Sequence, residues 1–143
     1  MLYYSVFRNS RRGSLSIQSF EERTLSKLPK LELVFTKPCR GAVEVSCNVD
    51  LHQRPSREFS IDPKEGYNPN DKDSPLLASL LQKLCADHSS SRLGIKYIHV
   101  THRRIVVFHR HAIEPTTIRD QMVEVLPIHY EDYVFESDFA FSN

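Results

Sequence analysis

Gly94–Arg110, GIKYIHVTHRRIVVFHR, is the stretch whose reading decides the fold of this chain. Two runs rich in β-branched and aromatic residues, GIKYIHV and RIVVFHR, are separated by Thr101, His102 and Arg103, which predicts a β-hairpin pairing Ile95–Val100 with Ile105–Arg110. Side chains alternate across a strand, so Ile98, Val100, Ile105 and Val107 share one face. Ile95, Tyr97, Val106 and Phe108 share the other. Both faces are largely apolar, and a strand apolar on both sides calls for cover on both.

Upstream of the hairpin, the clearest helix signal begins at Ser74. Its hydroxyl can cap the first amides, Pro75 suits the first helical position, and Asp73 adds a charge favourable to the helix dipole. Leu76, Leu77, Leu80, Leu81 and Leu84 then recur at helical spacing, and the helix should end near Ala86, before DHSSSR. Further upstream, Leu31, Leu33 and Phe35 alternate with Glu32 and Val34. After a turn at Cys39–Gly41, Val43, Val45, Cys47 and Val49 alternate with polar residues. Leu31–Asp50 therefore reads as a first hairpin, REFSID as a short third strand, and PKEGYNPNDKD as a loop.

Downstream, a second helix follows Pro115, capped by Thr116 or Thr117, with Ile118, Met122 and Val125 as its stripe and Pro127 as its end. Beyond it, IHYEDYVFESDFAFS interleaves Tyr130, Tyr133, Phe135, Phe139 and Phe141 with Glu131, Asp132, Glu136 and Asp138. This acidic aromatic tail is either an edge strand or an extended arm, and its rings either anchor a partner or fold back on the chain's own sheet. The element order β-β-(β)-α-β-β-α with extended termini defines a single α+β domain, a mainly antiparallel sheet with two helices. Residues 1–28 form an amino-terminal arm, 29–127 the domain and 128–143 the tail.

The stretch SPLLASLLQKL, the hairpin and IEPTTIRDQMVEVL together resemble the N-terminal domain of Nfu-type iron–sulfur proteins. Ser74, Pro75 and Leu76 match that family's helix start, Gly94 and Ile95 its strand start, and Ile105, Val106 and Val107 its following strand. The likeness spans Phe59–Leu126, with a longer linker at Asp87–Leu93 than the family usually has. It implies a shape, a mitochondrial or bacterial ancestry, and a role as an iron–sulfur assembly factor or adaptor. The family's cluster chemistry resides in a separate Cys-x-x-Cys domain that has no counterpart here, so no cluster site carries over.

The chain has 143 residues, 40% hydrophobic and 26% charged, and a net charge of +1. Such a balance excludes a wholly electrostatic nucleic-acid binder and leaves only local basic patches. The apolar runs are too short for a membrane span, and Leu2–Phe7 is too short for a secretory signal core. The first twenty residues, however, carry Arg8, Arg11 and Arg12, five serines and no acid. With Leu2, Tyr3, Val6 and Phe7 on the opposite side of a helical wheel, they resemble a mitochondrial transit segment; the plain alternative is a disordered basic terminus. As a retained arm, its arginines would seat on an acidic surface or on RNA.

Three cysteines, Cys39, Cys47 and Cys85, lack metal-ligand spacing, and Cys47 and Cys85 fall where packing is expected. Among seven histidines, His109 and His111 stand two apart, as on one face of a strand, which suits a metal pair or a hydrated sheet edge. His102, Arg103 and Arg104, with Tyr97 and Phe108 nearby, offer cations and rings to RNA, or form a solubilising hairpin tip. No phosphate loop, nucleophile elbow or metalloprotease helix is present, so neither catalysis, nor a cofactor, nor a small-molecule substrate is implied. The expected function is that of a non-catalytic mitochondrial subunit built into a large assembly, such as the mitochondrial ribosome or a respiratory complex. Its contacts would come from Arg8, Arg11, Arg12, His102, Arg103, Arg104, Tyr133, Phe135, Phe139 and Phe141, with protein subunits as partners and RNA as a further one.

Overall fold

The computed structural model describes residues 3–5, 30–88 and 94–140; Arg8, Arg11, Arg12 and Phe141 lie outside them. The described strands are β1 (Tyr3–Ser5), β2 (Leu31–Thr36), β3 (Ala42–Cys47), β4 (Phe59–Ile61), β5 (Ile95–Val100), β6 (Arg104–His109) and β7 (Tyr133–Asp138). The described helices are α1 (Pro75–His88), α2 (Pro115–Val123) and α3 (Leu126–His129). The strands form one seven-stranded sheet in the order β1-β7-β2-β3-β6-β5-β4. It is an α+β domain with a mainly antiparallel sheet, since the one parallel pairing is β2 with β7.

The two hairpins form where the alternation places them. In the first, Leu33 opposes Cys47 and Phe35 opposes Val45. In the second, Ile98 opposes Val107 and Val100 opposes Ile105, with the two-residue turn closed by the Thr101 amide donating to the Arg104 carbonyl at 2.8 Å. The hairpins join through β3 and β6, where Val43 faces Val107 and Val45 faces Ile105. These four valines and isoleucines therefore sit at the centre of one apolar layer. The α1 stripe, Leu77, Leu80, Leu81 and Leu84, closes over that layer together with Ile118 and Met122 of α2. Each such side chain stabilises the fold by about 2 kcal/mol through the apolar surface it removes from water.

Cover is one-sided. A bulge between Ile95 and Tyr97 turns Ile95 inward to join Ile98 and Val100 in the core. Tyr97, Val106 and Phe108 are left on the opposite face, which carries no helix among the described residues. One extra residue in β5 thus sorts the isoleucines to one side, the side that the described helices cover.

The helix starts differ from each other. Ser74 caps α1 as expected, its Oγ accepting from the Leu77 amide at 3.1 Å, and the helix runs on to His88 rather than ending near Ala86. At α2 the cap residue is Glu114, without a side-chain cap bond, and not Thr116 or Thr117. Pro115 takes the first helical position, where no amide hydrogen is needed, and that shifts the start by two residues. Pro127 does not end the helical region either, because it lies in the first turn of α3.

The segment read as an acidic aromatic tail supplies β7, which is neither an edge strand nor an arm. It lies between β1 and β2, with Leu31 opposite Tyr133 and Phe35 opposite Ser137. Tyr133 and Phe135 point into the core, where Phe135 meets the Phe35 ring edge-on at 6.0 Å. Glu136 and Asp138 alternate with them onto the side away from the described helices, so the pattern that resembles an interaction arm is that of a half-buried strand.

Candidate functional site

Cross-strand register defines what the face opposite the described helices presents. Val106 lies beside Glu44 on one side and His99 on the other, while Phe108 pairs with Tyr97. The Tyr97 and Phe108 rings stack at 4.5 Å with 17° between their planes, and Tyr97 remains 43% exposed. On the β2 and β7 side the same face carries Val34 next to Glu136, Thr36 next to Asp138, and Glu32 next to Val134. The surface is therefore a strip of valines and two stacked rings bordered by Glu32, Glu44, Glu136 and Asp138. Among its described residues this face also carries the Arg104 guanidinium and the His99 imidazole.

Those two are themselves engaged. Arg104 reaches Glu44 at 3.7 Å, and His99 lies 3.6 Å from Glu58 and 3.0 Å from the Ser60 hydroxyl. At the turn, Arg103 donates to Asp50 at 2.8 Å and holds that carboxyl below its ordinary range. The backbone around the turn is tied down as well: the Cys47 amide donates to the Arg103 carbonyl at 2.9 Å, and the Leu51 amide to that of His102 at 2.6 Å. His102, Arg103 and Arg104 do lie together on the hairpin, but both arginines face carboxylates that offset their charge. This weakens the hairpin as a phosphate-binding tip, because neutralised cations release few counterions on contact with nucleic acid.

The aromatic contact residues read from the tail fare differently. Tyr133 and Phe135 are core side chains and cannot reach a partner without unfolding β7. Phe139 is half-buried, packed against the core and 5.8 Å from the Arg119 guanidinium, which lies at the same distance from the Phe135 ring. Arg119 also donates to the buried Ser137 hydroxyl at 3.1 Å, so it pins β7 to α2. These rings are used in folding for the same reason they suit interfaces: each buries a large apolar area.

His109 and His111 do not form a pair on one strand face. β6 ends at His109, which is buried, whereas His111 lies in the turn beyond it and is exposed. Among the described residues no group of three or more His, Cys, Asp or Glu side chains is placed to hold a metal ion. Cys39 is exposed, Cys47 half-buried and Cys85 buried; burial pushes the thiols of Cys47 and Cys85 up. Among the described residues no helix is long and apolar enough to cross a membrane.

A buried polar cluster at the β4 end of the sheet has no counterpart in the sequence reading. The Asp73 carboxylate, with its side chain 0% exposed, accepts from Arg54 through both oxygens at 2.7 Å and from the Tyr67 hydroxyl at 2.6 Å. Burial alone would raise the Asp73 pKa, but these bonds outweigh it and hold the carboxyl below its ordinary value. Arg54 also lies 3.6 Å over the centre of the Phe59 ring, which in turn meets His52 edge-on at 5.1 Å. Only Asp73 carries a sequence signal, that of a helix-start acid, and it is engaged by the loop instead.

No family model matches the chain, and neither curated proteins nor solved structures give a match. The likeness to the Nfu N-terminal domain accordingly rests on the residues quoted for it.

Proposed function

We propose that this protein is a non-catalytic interaction subunit of a larger assembly, and that it meets a basic protein partner through the sheet face opposite the described helices. The observation that carries this reading is the stacked, partly exposed Tyr97–Phe108 pair beside a valine strip, bordered by Glu32, Glu136 and Asp138, with Glu44 already paired to Arg104. Aromatic rings anchor interfaces through desolvation, while flanking carboxylates select a cationic partner and repel phosphate backbones. That charge balance favours protein over RNA. The contact surface moves accordingly from the tail rings and the hairpin tip to the sheet.

In this proposal the Arg8, Arg11 and Arg12 segment serves as a mitochondrial address. Residues 1–28 fused to a fluorescent reporter should direct it to mitochondria, and replacing the three arginines by glutamate should leave it in the cytosol.

The surface itself is tested by a photo-crosslinking residue placed at position 97 and, in a second sample, at the exposed Ile128 of α3. Position 97 should yield a discrete adduct with one basic protein in the native assembly, and position 128 should not. A chain that runs as a monomer under native conditions and gives no adduct from position 97 overturns the proposal.

A further inference from the structure

The end of β2, the start of β3 and the loop from β6 into α2 line an open cleft of about 280 Å³. Its lining brings together Lys37, Arg40, His109 and His111, with Glu114 as the carboxylate and Pro115 opening α2 beside it. Lys37 and Arg40 come from the turn between β2 and β3, and the two histidines from the end of β6 and the turn beyond it, so only the fold assembles these basic side chains. Burial is the main influence lowering the Lys37 pKa, which marks the ammonium as partly withdrawn from water.

His109 is the buried member, 2% exposed. Its Nδ1 lies 2.6 Å from the Arg110 carbonyl oxygen; a carbonyl only accepts, so Nδ1 carries the hydrogen and donates. The neutral ring then has a bare lone pair on Nε2, and that atom is buried with no hydrogen-bond partner. An atom left without a partner in this way destabilises the empty site. Gly41 completes the cradle. Its φ of +82° is one that side-chain-bearing residues rarely adopt, and a Cβ there would lie 3.0 Å from the His109 carbonyl oxygen and 3.2 Å from the His111 ring.

We propose that this cleft binds a phosphate group, carried by free phosphate or by a small phosphomonoester. Three kinds of basic side chain converge on one cleft at the amino-terminal end of a nine-residue helix, where the dipole favours an anion. Glu114 leaves the lining with an excess of positive charge, and a doubly charged oxyanion matches it better than a carboxylate does. Once an anion is present, His109 takes up a proton and Nε2–H donates to it, which satisfies the orphaned atom.

That coupling makes binding depend on pH. In the empty site burial lowers the His109 pKa, the Arg110 carbonyl opposes this, and Lys37, His111 and Lys96 lower it further. Glu114 is the acid in the lining facing the same space. A bound phosphate outweighs the neighbouring cations and draws a proton onto His109, so affinity should rise as pH falls toward the ligand's own second pKa, about 6, and level off below it as the dianion is lost.

The test is a titration of the full chain with inorganic phosphate, and separately with glycerol phosphate, at constant ionic strength, read on the histidine ring nitrogens by NMR. The expected result is a saturable shift of the His109 and His111 signals, with His109 Nε2 changing from bare to protonated. Arg40→Ala, at an exposed position that should leave folding intact, should weaken binding roughly tenfold. Arg57→Ala, exposed and outside the lining, should not. Tighter binding of glycerol phosphate assigns the site to phosphomonoesters, and equal or weaker binding assigns it to the free ion. Shifts that stay linear in concentration, or that respond equally to both arginine variants, overturn the proposal.

Discussion

Asp73 illustrates how a single residue can be recruited away from its local role. Next to Ser74 at the start of α1 it resembles a helix-dipole acid, but its carboxylate is wholly buried and satisfied by Arg54 and Tyr67. Removing one partner of such a pair leaves the other charge buried, so Asp73→Ala should lower stability by about 3 kcal/mol, measured by urea unfolding. The pH dependence follows from the direction of each shift. Because the Asp73 carboxyl is held below its ordinary value, its contribution is present above about pH 4 and is lost as pH falls through the folded value. Tyr67 behaves in the opposite sense. Burial, and then its bond to Asp73, push it up to about 12, so its contribution is complete below about pH 10 and is lost as pH rises toward that value. The stability difference between the wild type and Tyr67→Phe should therefore shrink over that alkaline interval, which separates Tyr67 from the other buried tyrosines.

Among the elements, α1 and β7 mark the extremes of what local pattern conveys. In α1 the cap, the proline and the leucine stripe all agree, and Ser74→Ala should cost about 1 kcal/mol by thermal unfolding through loss of the bond to the Leu77 amide. The β7 pattern of rings and acids fits an exposed arm equally well, because the partner that buries Tyr133 and Phe135 lies about a hundred residues away in β2. Arg119 shows what that partnership requires. Its guanidinium bonds Ser137 and sits between the Phe135 and Phe139 rings, so Arg119→Ala should expose β7 selectively. Hydrogen exchange should then quicken at the amides of β7 before those of β3 and β6.

For the molecule as a whole, the parallel β2–β7 pairing decides where the domain ends. A chain stopped after Asp132 would lose Tyr133 and Phe135 from the core and leave β2 with an open edge. The burial of two such rings stabilises the fold by several kcal/mol, comparable with the whole margin of a small domain. That truncation should fail to give a dispersed amide NMR spectrum, whereas loss of a dispensable tail would leave the domain folded.

The two hairpins, α1 and the α+β class were legible in the sequence because their signals are local: alternation, capping and helical spacing act between residues a few positions apart. The candidate surfaces were legible only in fragments. Tyr97, Phe108 and the turn arginines could be picked out, but a bulge at β5 and the carboxylates of β2, β3 and β7 determine what they present. The Asp73 cluster and the His109 cleft could not be read at all, since each draws on segments far apart in the chain. Local pattern was enough for β2, β3, β5, β6 and α1, but not for β1, β7 or α3. Which apolar faces meet, on which side of the sheet the described helices lie, and where charges from distant segments converge became visible in the folded chain alone. Pairing across long loops depends on the burial and closure entropy of the whole chain, and no local window contains that balance.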